Sequence, residues 1–525
     1  DEAHRGLSGA LAAAVASSVR EQSELAAVEG GAPDQLFWGD LHNHNAVGYA
    51  KGSLERSIEI AQEHLDFFAF TGHANWHDMP KMPGDRHMKW VKGFEVHTNH
   101  WPTTRQMIRD SNSDSFVGLL GYEWHSSHFG DYCMIFPDDQ PNLFLPDHVD
   151  PLLDFADQAG ALAIPHHLAY KRGWRGANFD HFRSATTPVV EIFSEHGCTE
   201  TDRSSQPMIR HSNGGRSTSN TVVPQLEKGL RFGFIASSDN HRGYPGAYGE
   251  GLLGVWASDL STDSLFDAIR ARRTYAVTGD RIALEVALNG QPMGAELPAT
   301  AARQIDVRVE APDSLHMIEL IRNGQVIERY FPEDEADQQV ALPGRAKCRL
   351  SYGWGPWAAL DLGRTCQWDM TVSIQGGRFL RATPCYQSGP YEEDMRDQMR
   401  IISDSEIQLS SFTSRVKCYA EDPTKAIIME LEGGPEALLS VNLRKPIEQQ
   451  VVARLADLRD DNVVTFTGVF TSESYILQRL VGPTEYSARV RWNDRRAKVL
   501  GPDWYYVRVT QHNGQQAWSS PIWVG

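Results

Sequence analysis

Between Leu54 and His64 apolar positions recur at helical spacing. The run that follows, Leu65-Asp66-Phe67-Phe68-Ala69-Phe70, has the length and content of a buried strand. The same pairing returns at Leu152–Ala159 followed by Ala161-Leu162-Ala163-Ile164-Pro165. Strand-like runs alternating with helical patterns predict βα units around a parallel sheet or barrel, whose sites lie at the C-terminal ends of the strands. After about residue 282 the pattern changes to short alternating runs, among them Ile305-Asp306-Val307-Arg308-Val309, Met317–Ile321, Val463–Phe466 and Trp504–Val509. Asn323-Gly324 after Leu320-Ile321-Arg322 predicts a type I′ hairpin. This half reads as one or two β-sandwich units, with a turn-rich junction from Pro343 to about Asp361.

The chain of 525 residues is long enough for two or three domains. Histidine usage marks the boundary, since only His316 and His512 of the 20 histidines come after His241. The expected division is a helical extension over 1–35, a metal-binding α/β unit over 36–282 and a β-rich region over 283–525. Residues 7–18 are Ala-rich without a preceding basic segment, which favours an amphipathic helix over a signal peptide. The chain begins at Asp1, so an earlier-removed presequence stays open beside the cytoplasmic expectation.

A net charge of −18 argues against nucleic acid or an anionic membrane as a general partner, because such binding needs clustered Lys and Arg. No window reaches the ~18 apolar residues of a membrane span. The six cysteines show no Cys-x-x-Cys spacing and read as reduced structural thiols, Cys198 included, with a disulfide among the last four left open.

The chemistry sits where the apolar runs of the first half end. Phe37-Trp38-Gly39-Asp40-Leu41 leads into His42 and His44, which share a face if the run is a strand. Phe67–Phe70 leads to His73, Val117–Tyr122 to Glu123 and His125, and Ala161–Pro165 to His166 and His167. Val189-Val190 leads to Glu191 and His196, and Phe232–Ser238 to Asp239 and His241. Imidazoles and carboxylates without thiolate suit Zn²⁺, Mn²⁺ or Fe²⁺, and so many ligands suit two or three ions. Two ions roughly 3.5–4 Å apart can bridge a hydroxide for hydrolysis.

As a set, His42-x-His44, Thr71-x-His73, Gly121-x-Glu123, His166-His167, Glu191 with His196, and Ser238-Asp239-x-His241 resemble the polymerase-and-histidinol-phosphatase (PHP) superfamily. Gly39-Asp40-Leu41-His42, Pro165-His166-His167, Ala271-Arg272-Arg273-Thr274-Tyr275-Ala276 and Trp518-Ser519-Ser520-Pro521-Ile522-Trp523 narrow the resemblance to the branch known as domain of unknown function 3604. The resemblance implies a distorted (β/α)7 barrel holding two or three divalent ions, with phosphoesterase chemistry. Its ligands would be His42, His44, His73, Glu123, His196, Asp239 and His241, completed by His166 or His167. His166 is preferred because it follows Gly160 by six residues, as the family's histidine follows its glycine. Two departures stand out: Thr71-Gly72-His73 lacks the family's central aspartate, and no third histidine occurs near Tyr49-Ala50-Lys51. Both favour a two-metal site, and His77 or Asp78 is a candidate to compensate.

For an anionic small-molecule substrate, Lys171, Arg172 and Arg175 follow a ligand-bearing strand and Arg242 follows His241. Asp239, His125 or one of the paired histidines is a candidate proton carrier. Trp76, Trp101, Trp124 and Trp174 are candidates to wall a pocket, with core packing as the alternative. The reading that follows is a metal-dependent phosphoesterase using a metal-bridging hydroxide on a small organic phosphate ester. Amidase, lactonase or sulfate-ester hydrolysis on the same site is the alternative, and a binding protein with a relic barrel is the reading from another class. The β-rich half is expected to pack on the barrel or to mediate homo-oligomerisation.

Overall fold

The computed structural model describes residues 34–140, 142–210, 214–334, 340–355, 365–414, 423–469, 472–495 and 502–525. The helix expected over 7–18 lies outside them. The α/β part contains β1 (Gln35–Asp40), α1 (Leu54–His64), β2 (Phe67–Phe70), β3 (His73–Trp76), α2 (Arg86–Ser111), β4 (Val117–His125) and β5 (Asp131–Phe136). It continues with α3 (Val149–Ala159), β6 (Leu162–His166), β7 (Val189–Ser194), β8 (Gly197–Cys198), β9 (Gly233–Ala236), β10 (Leu252–Ala257), α4 (Thr262–Arg270) and β11 (Thr274–Val277).

Local chemistry accounts for the helices. Ser53 accepts the Arg56 backbone N–H at the start of α1, and Leu54, Ile58, Ile60 and Ala61 form its buried face. Gly160, at φ 62°, closes α3 in the left-handed conformation that glycine adopts freely. β2, β4, β5 and β6 are buried along their whole length, which explains why they read as continuous apolar runs.

The architecture is mixed α/β rather than uniformly parallel. β1 pairs parallel to β2, and β2 and β3 parallel to β4, but β4–β5–β6 and β1–β10–β11 are antiparallel. β7 and β9 pair parallel, with β8 on β7, in a separate three-stranded sheet. β5 departs from the βα pattern because a tight connection from Ser126 to Gly130 returns the chain beside β4 with no helix between.

β11 pairs with Gln516–Ser519, so the strands at 503–511, 516–519 and 522–524 extend the same fourteen-stranded sheet. One apolar cluster accordingly spans residues from Trp38 to Val524. The strands at 296–297, 315–322 and 325–330 join the same sheet, and the remaining β-rich strands form a four-stranded and an eight-stranded antiparallel sheet, the latter over its own core, which includes Trp368, Met429 and Leu439. The hairpin at Asn323-Gly324 forms as expected, with φ of 49° and 73° and Arg322 opposite Gln325. The expected turn-rich junction is corrected in part: Gly344–Trp354 is a strand, its buried Ala346, Cys348, Leu350 and Tyr352 alternating towards the core despite the flanking glycines. Residues 356–364 of that stretch lie outside the described ones.

A buried carboxylate ties these parts together. Asp280 accepts hydrogen bonds from Arg349 Nη2 (2.9 and 2.8 Å), Gln511 Nε2 (2.7 Å), Asn513 Nδ2 (2.7 Å) and Tyr248 Oη (3.0 Å). Burial would raise its pKa, but Arg349 and the amide donors hold it below the usual carboxylate range. Asp280→Ala strands the Arg349 guanidinium and is expected to lower stability by about 3–5 kcal/mol in a guanidinium titration at neutral pH. A depressed folded pKa contributes stability above the unfolded value of about 3.9 and loses it as pH falls through the folded value. The gap between wild type and variant should therefore narrow in acid.

Candidate metal centre

The strand ends of the α/β part converge on one buried cluster. His42 and His44 follow β1, and a parallel bridge between Asn43 and Asn240 joins this segment to the one that carries Asp239 and His241. His44 N donates to Asn240 O (2.8 Å) and Asp239 N to His42 O (2.7 Å). Asp40, directly before the first ligand-type pair, accepts the Ser238 hydroxyl (2.5 Å) and the backbone N–H groups of His42, Ser238 and Gly246. Burial pushes its carboxyl up to about 6. Asp40 is thus a fastener between the two segments, a role that a motif match alone does not reveal.

The decisive geometry lies in the two nitrogens of each imidazole. Nε2 of His42 lies 3.1 Å from His44 Nε2 and 3.2 Å from Asp239 Oδ1, while its Nδ1 lies 2.9 Å from Glu191 Oε2. Nε2 of His166 is 2.6 Å from Glu123 Oε1, with Cys133 Sγ 3.7 Å behind Nδ1. Nε2 of His196 is 3.0 Å from Asp239 Oδ2, with Tyr170 Oη 2.7 Å behind Nδ1. Nε2 of His241 is 3.1 Å from His73 Nε2, with Glu195 Oε1 3.1 Å behind Nδ1. Nε2 of His125 is 3.2 Å from Glu123 Oε2, with Asp131 Oδ1 3.4 Å behind Nδ1. A carboxylate behind Nδ1, as at His42 and His241, keeps the proton there and turns the Nε2 lone pair inward, the arrangement that metal-binding histidines use.

Groups of three or four of these side chains bring their ligand atoms within 4.8 Å of one another, among them His42, His44 and Asp239; His44, His73 and His241; and His73, Glu123 and His125. Glu123, Asp131, His166 and His167 form a further group, as do His42, Cys133 and His166. Ligands sharing one ion at about 2.0–2.2 Å must lie this close. The donor set is compatible with divalent metals.

Both paired histidines reach the cluster, on opposite sides: His166 at Glu123 and His167, through Nε2, 3.6 Å from Asp239 Oδ2. Consecutive strand residues normally face opposite ways. His167 escapes that rule through a left-handed φ of 53°, and Asp239 has the same value. Such strain in non-glycine residues costs of order 1–3 kcal/mol and persists only where the surroundings enforce it.

Charge follows from burial set against neighbours. Glu123 and Asp239 are fully buried, which would raise them. His125, His73 and His166 hold Glu123 well below its usual range, and His42 and His196 do the same for Asp239. Burial, aided by His241, pushes His44 down to about 3, and burial together with His44 keeps His73 well below the usual imidazole range. Against burial, Asp239, Cys133 and Glu191 raise His42, and Glu123 and Asp131 raise His125, so a cation binding there displaces a proton.

The other candidates separate by position. Arg175 is buried, with Nε 2.7 Å from Asp131 Oδ2 and Nη2 3.3 Å from His125 Nδ1, and its guanidinium lies over Trp76 at 4.9 Å. Lys171 and Arg172 are exposed, Arg172 pairing with Asp180 at 2.8 Å, so the structure does not bring them to the cluster. Arg242 lies beside it, 3.9 Å from Glu195 Oε2. Asp78 anchors Ser127 N at 2.8 Å and Ser126 Oγ at 3.0 Å, and His77 stacks on Trp124 at 5.6 Å, so neither replaces a ligand. Trp101 and Trp124 are core residues and Trp174 is 60% exposed. Trp76 and Trp90 do stand against the cluster, at ring distances of 5.7 Å from His125 and 4.6 Å from His73. The absent aspartate has a physical counterpart: a Cβ on Gly72 would lie 2.7 Å from Nδ1 of the buried His97 and 2.6 Å from Phe70 Cζ. His97 and Phe70 fill the room an aspartate would need.

Among the described residues Cys133, Cys198, Cys348 and Cys385 are buried free thiols. Burial pushes Cys198 up to about 12, which leaves it inert at neutral pH. No described helix is long and apolar enough to cross a membrane.

Comparison with known proteins finds similarity to parts of this chain. A family model described as "Protein of unknown function (DUF3604)" matches residues 247–290, which include the Ala271–Ala276 segment. An uncharacterized protein of Chlamydia pneumoniae is 32% identical over 337 residues, covering 58% of this chain and 51% of that one. An uncharacterized protein of Chlamydia muridarum is 27% identical over 328 residues, covering 57% and 49%. The chain spans about half the length of these relatives. Among solved structures, a two-domain protein from Bacteroides vulgatus containing a predicted PHP-like metal-dependent phosphoesterase is 10% identical. Its TM-score is 0.32, over 82% of this chain and 100% of that one.

Glu191 Oε2 meets His42 at Nδ1, so its removal should disturb the orientation of that ring. Glu191→Ala is expected to weaken Zn²⁺ binding about 10- to 100-fold in a calorimetric titration. Unchanged affinity would show that Glu191 does not orient His42.

Proposed function

We propose that the cluster is a divalent-metal centre and that the protein is a PHP-like metal-dependent hydrolase of a small organic phosphate ester. The framework proposed for it is a distorted (β/α)7 barrel with β-sandwich units following. The observation that carries the reading is the inward convergence of Nε2 atoms whose Nδ1 partners are Glu191, Asp131, Cys133, Tyr170 and Glu195. His42, His44, His73, Glu123, His166, His167, His196, Asp239 and His241 would hold two or three ions, Zn²⁺ or Mn²⁺ before Fe²⁺. Bound there, such ions supply Lewis acidity and lower the pKa of coordinated water to about 7. In this reading Glu191, expected from the sequence as a ligand, instead orients His42, which it meets at Nδ1.

The chain's own residues do the rest. Asp239 and His125 are the proposed proton carriers; His125 is held between Glu123 and Asp131, whose carboxylates, burial notwithstanding, keep its proton affinity above the ordinary imidazole value. Arg175 and Arg242 are the cations placed to offset substrate charge, Arg175 fixed in direction by Asp131. Trp76 and Trp90 limit water on one side of the site and offer apolar faces to an organic leaving group.

Activity against aryl phosphate mono- and diesters, aryl sulfates and carboxyl esters tests the reading. Phosphate-ester turnover should vanish on chelation and return with Zn²⁺ or Mn²⁺, and His42→Ala and Asp239→Ala should lose metal and turnover together. Full turnover by a metal-free variant contradicts the reading, and turnover of carboxyl esters alone moves the protein to the amidase or lactonase class.

A further inference from the structure

The β-rich half has so far supplied no chemistry, yet it reaches the segments that carry the ligands. Beyond the long strand Cys366–Cys385 the chain lies along them: Tyr386 O accepts Tyr248 N (2.7 Å), and Glu393 accepts Ser53 N (2.8 Å) and Ser53 Oγ (2.9 Å). Within this contact Ser388 Oγ donates to Glu250 Oε1 (3.2 Å), and Glu250 Oε2 accepts Asn240 Nδ2 (2.7 Å). Ser388 is 1% exposed, Glu250 5% and Asn240 0%, so water cannot replace these bonds.

Asn240 stands between Asp239 and His241. Its Oδ1 accepts the backbone N–H groups of Arg242 (2.8 Å) and Tyr244 (3.0 Å), which fixes the amide so that Nδ2 must donate towards Glu250. Its backbone oxygen takes His44 N (2.8 Å). The left-handed turn at Asp239, φ 53°, is therefore gripped from one side by the His42–His44 segment and from the other by Glu250.

We propose that Glu250 and Ser388 are positioning residues of the metal centre, and that the β-rich half completes the centre by holding, through Asn240, the turn on which Asp239 and His241 stand. This rests on the metal reading above. It gives the second half of the chain a function in cation binding that its own residues do not show.

The test uses the full chain and Co²⁺ alone, read by its visible absorption spectrum and by equilibrium dialysis. Wild type should take up Co²⁺ with a spectrum of nitrogen and oxygen ligation. Glu250→Ala should bind at least about 10-fold more weakly with an altered spectrum. Glu250→Gln should restore both, since its amide oxygen can accept from Asn240 while its NH₂ donates to Ser388. Ser388→Ala, which deletes a single oxygen on the far side of the contact, should weaken binding in the same direction, and it decides the matter if Glu250→Ala does not fold. Wild-type affinity and spectrum in the deciding alanine variant, or a failure of Glu250→Gln to restore them, overturns the proposal while leaving the metal centre intact. A wild-type chain that takes up no Co²⁺ overturns the metal centre itself, and this proposal with it.

Discussion

The site depends on which nitrogen of each histidine keeps its proton. A cluster of imidazoles is not in itself a cation site, since each ring presents a donor on one side and an acceptor on the other. Here Glu191 and Glu195 stand behind Nδ1 of His42 and His241, and Asp131, Cys133 and Tyr170 lie beside Nδ1 of His125, His166 and His196, so the Nε2 atoms face one another across the interior. His42 and His44 approach through Nε2 to 3.1 Å, as do His73 and His241, contacts that a shared cation would relieve.

The fold does so by bringing strand ends together and then departing from regular strand geometry where regularity would fail. β6 alone would aim one of His166 and His167 away from the cluster; the left-handed backbone at His167 turns it back. Asp239 is turned in the same way, and Asp40 locks its segment to β1 through Ser238 and Gly246. The strands 503–511, 516–519 and 522–524 extend the sheet through β11, so both halves of the chain share an apolar core with the strands that support the site. Packing of this kind leaves little freedom for the turns that carry the clustered histidines and Asp239.

Much of this was legible in the sequence because apolar runs mark strands and their polar ends mark a site. Leu54–His64 and Val463–Phe466 form with the expected bounds, and the His-x-His, Glu and Asp-x-His residues meet in one place. Partners distant in sequence carry no such mark. Nothing local says that Glu191 meets His42 through Nδ1, that Asp131 backs His125, or that Tyr170 backs His196. Glu195 adjoins His196 in the chain yet serves His241. Lys171 and Arg172 look like Arg175 in the sequence, but Asp131 draws only Arg175 inward. The mixed sheet was hidden for a similar reason, since a short connection and a βα crossover both follow an apolar run. The fate of the expected aspartate became visible only when His97, on α2, was seen to fill the space above Gly72.

The count of tightly held ions tests the central claim most directly. The full chain, saturated with Zn²⁺ or Mn²⁺ and dialysed against metal-free buffer, should retain two or three ions per chain by plasma mass spectrometry. Retention of less than one ion per chain would contradict it, and would mean that the inward-facing nitrogens are satisfied by hydrogen bonds among themselves.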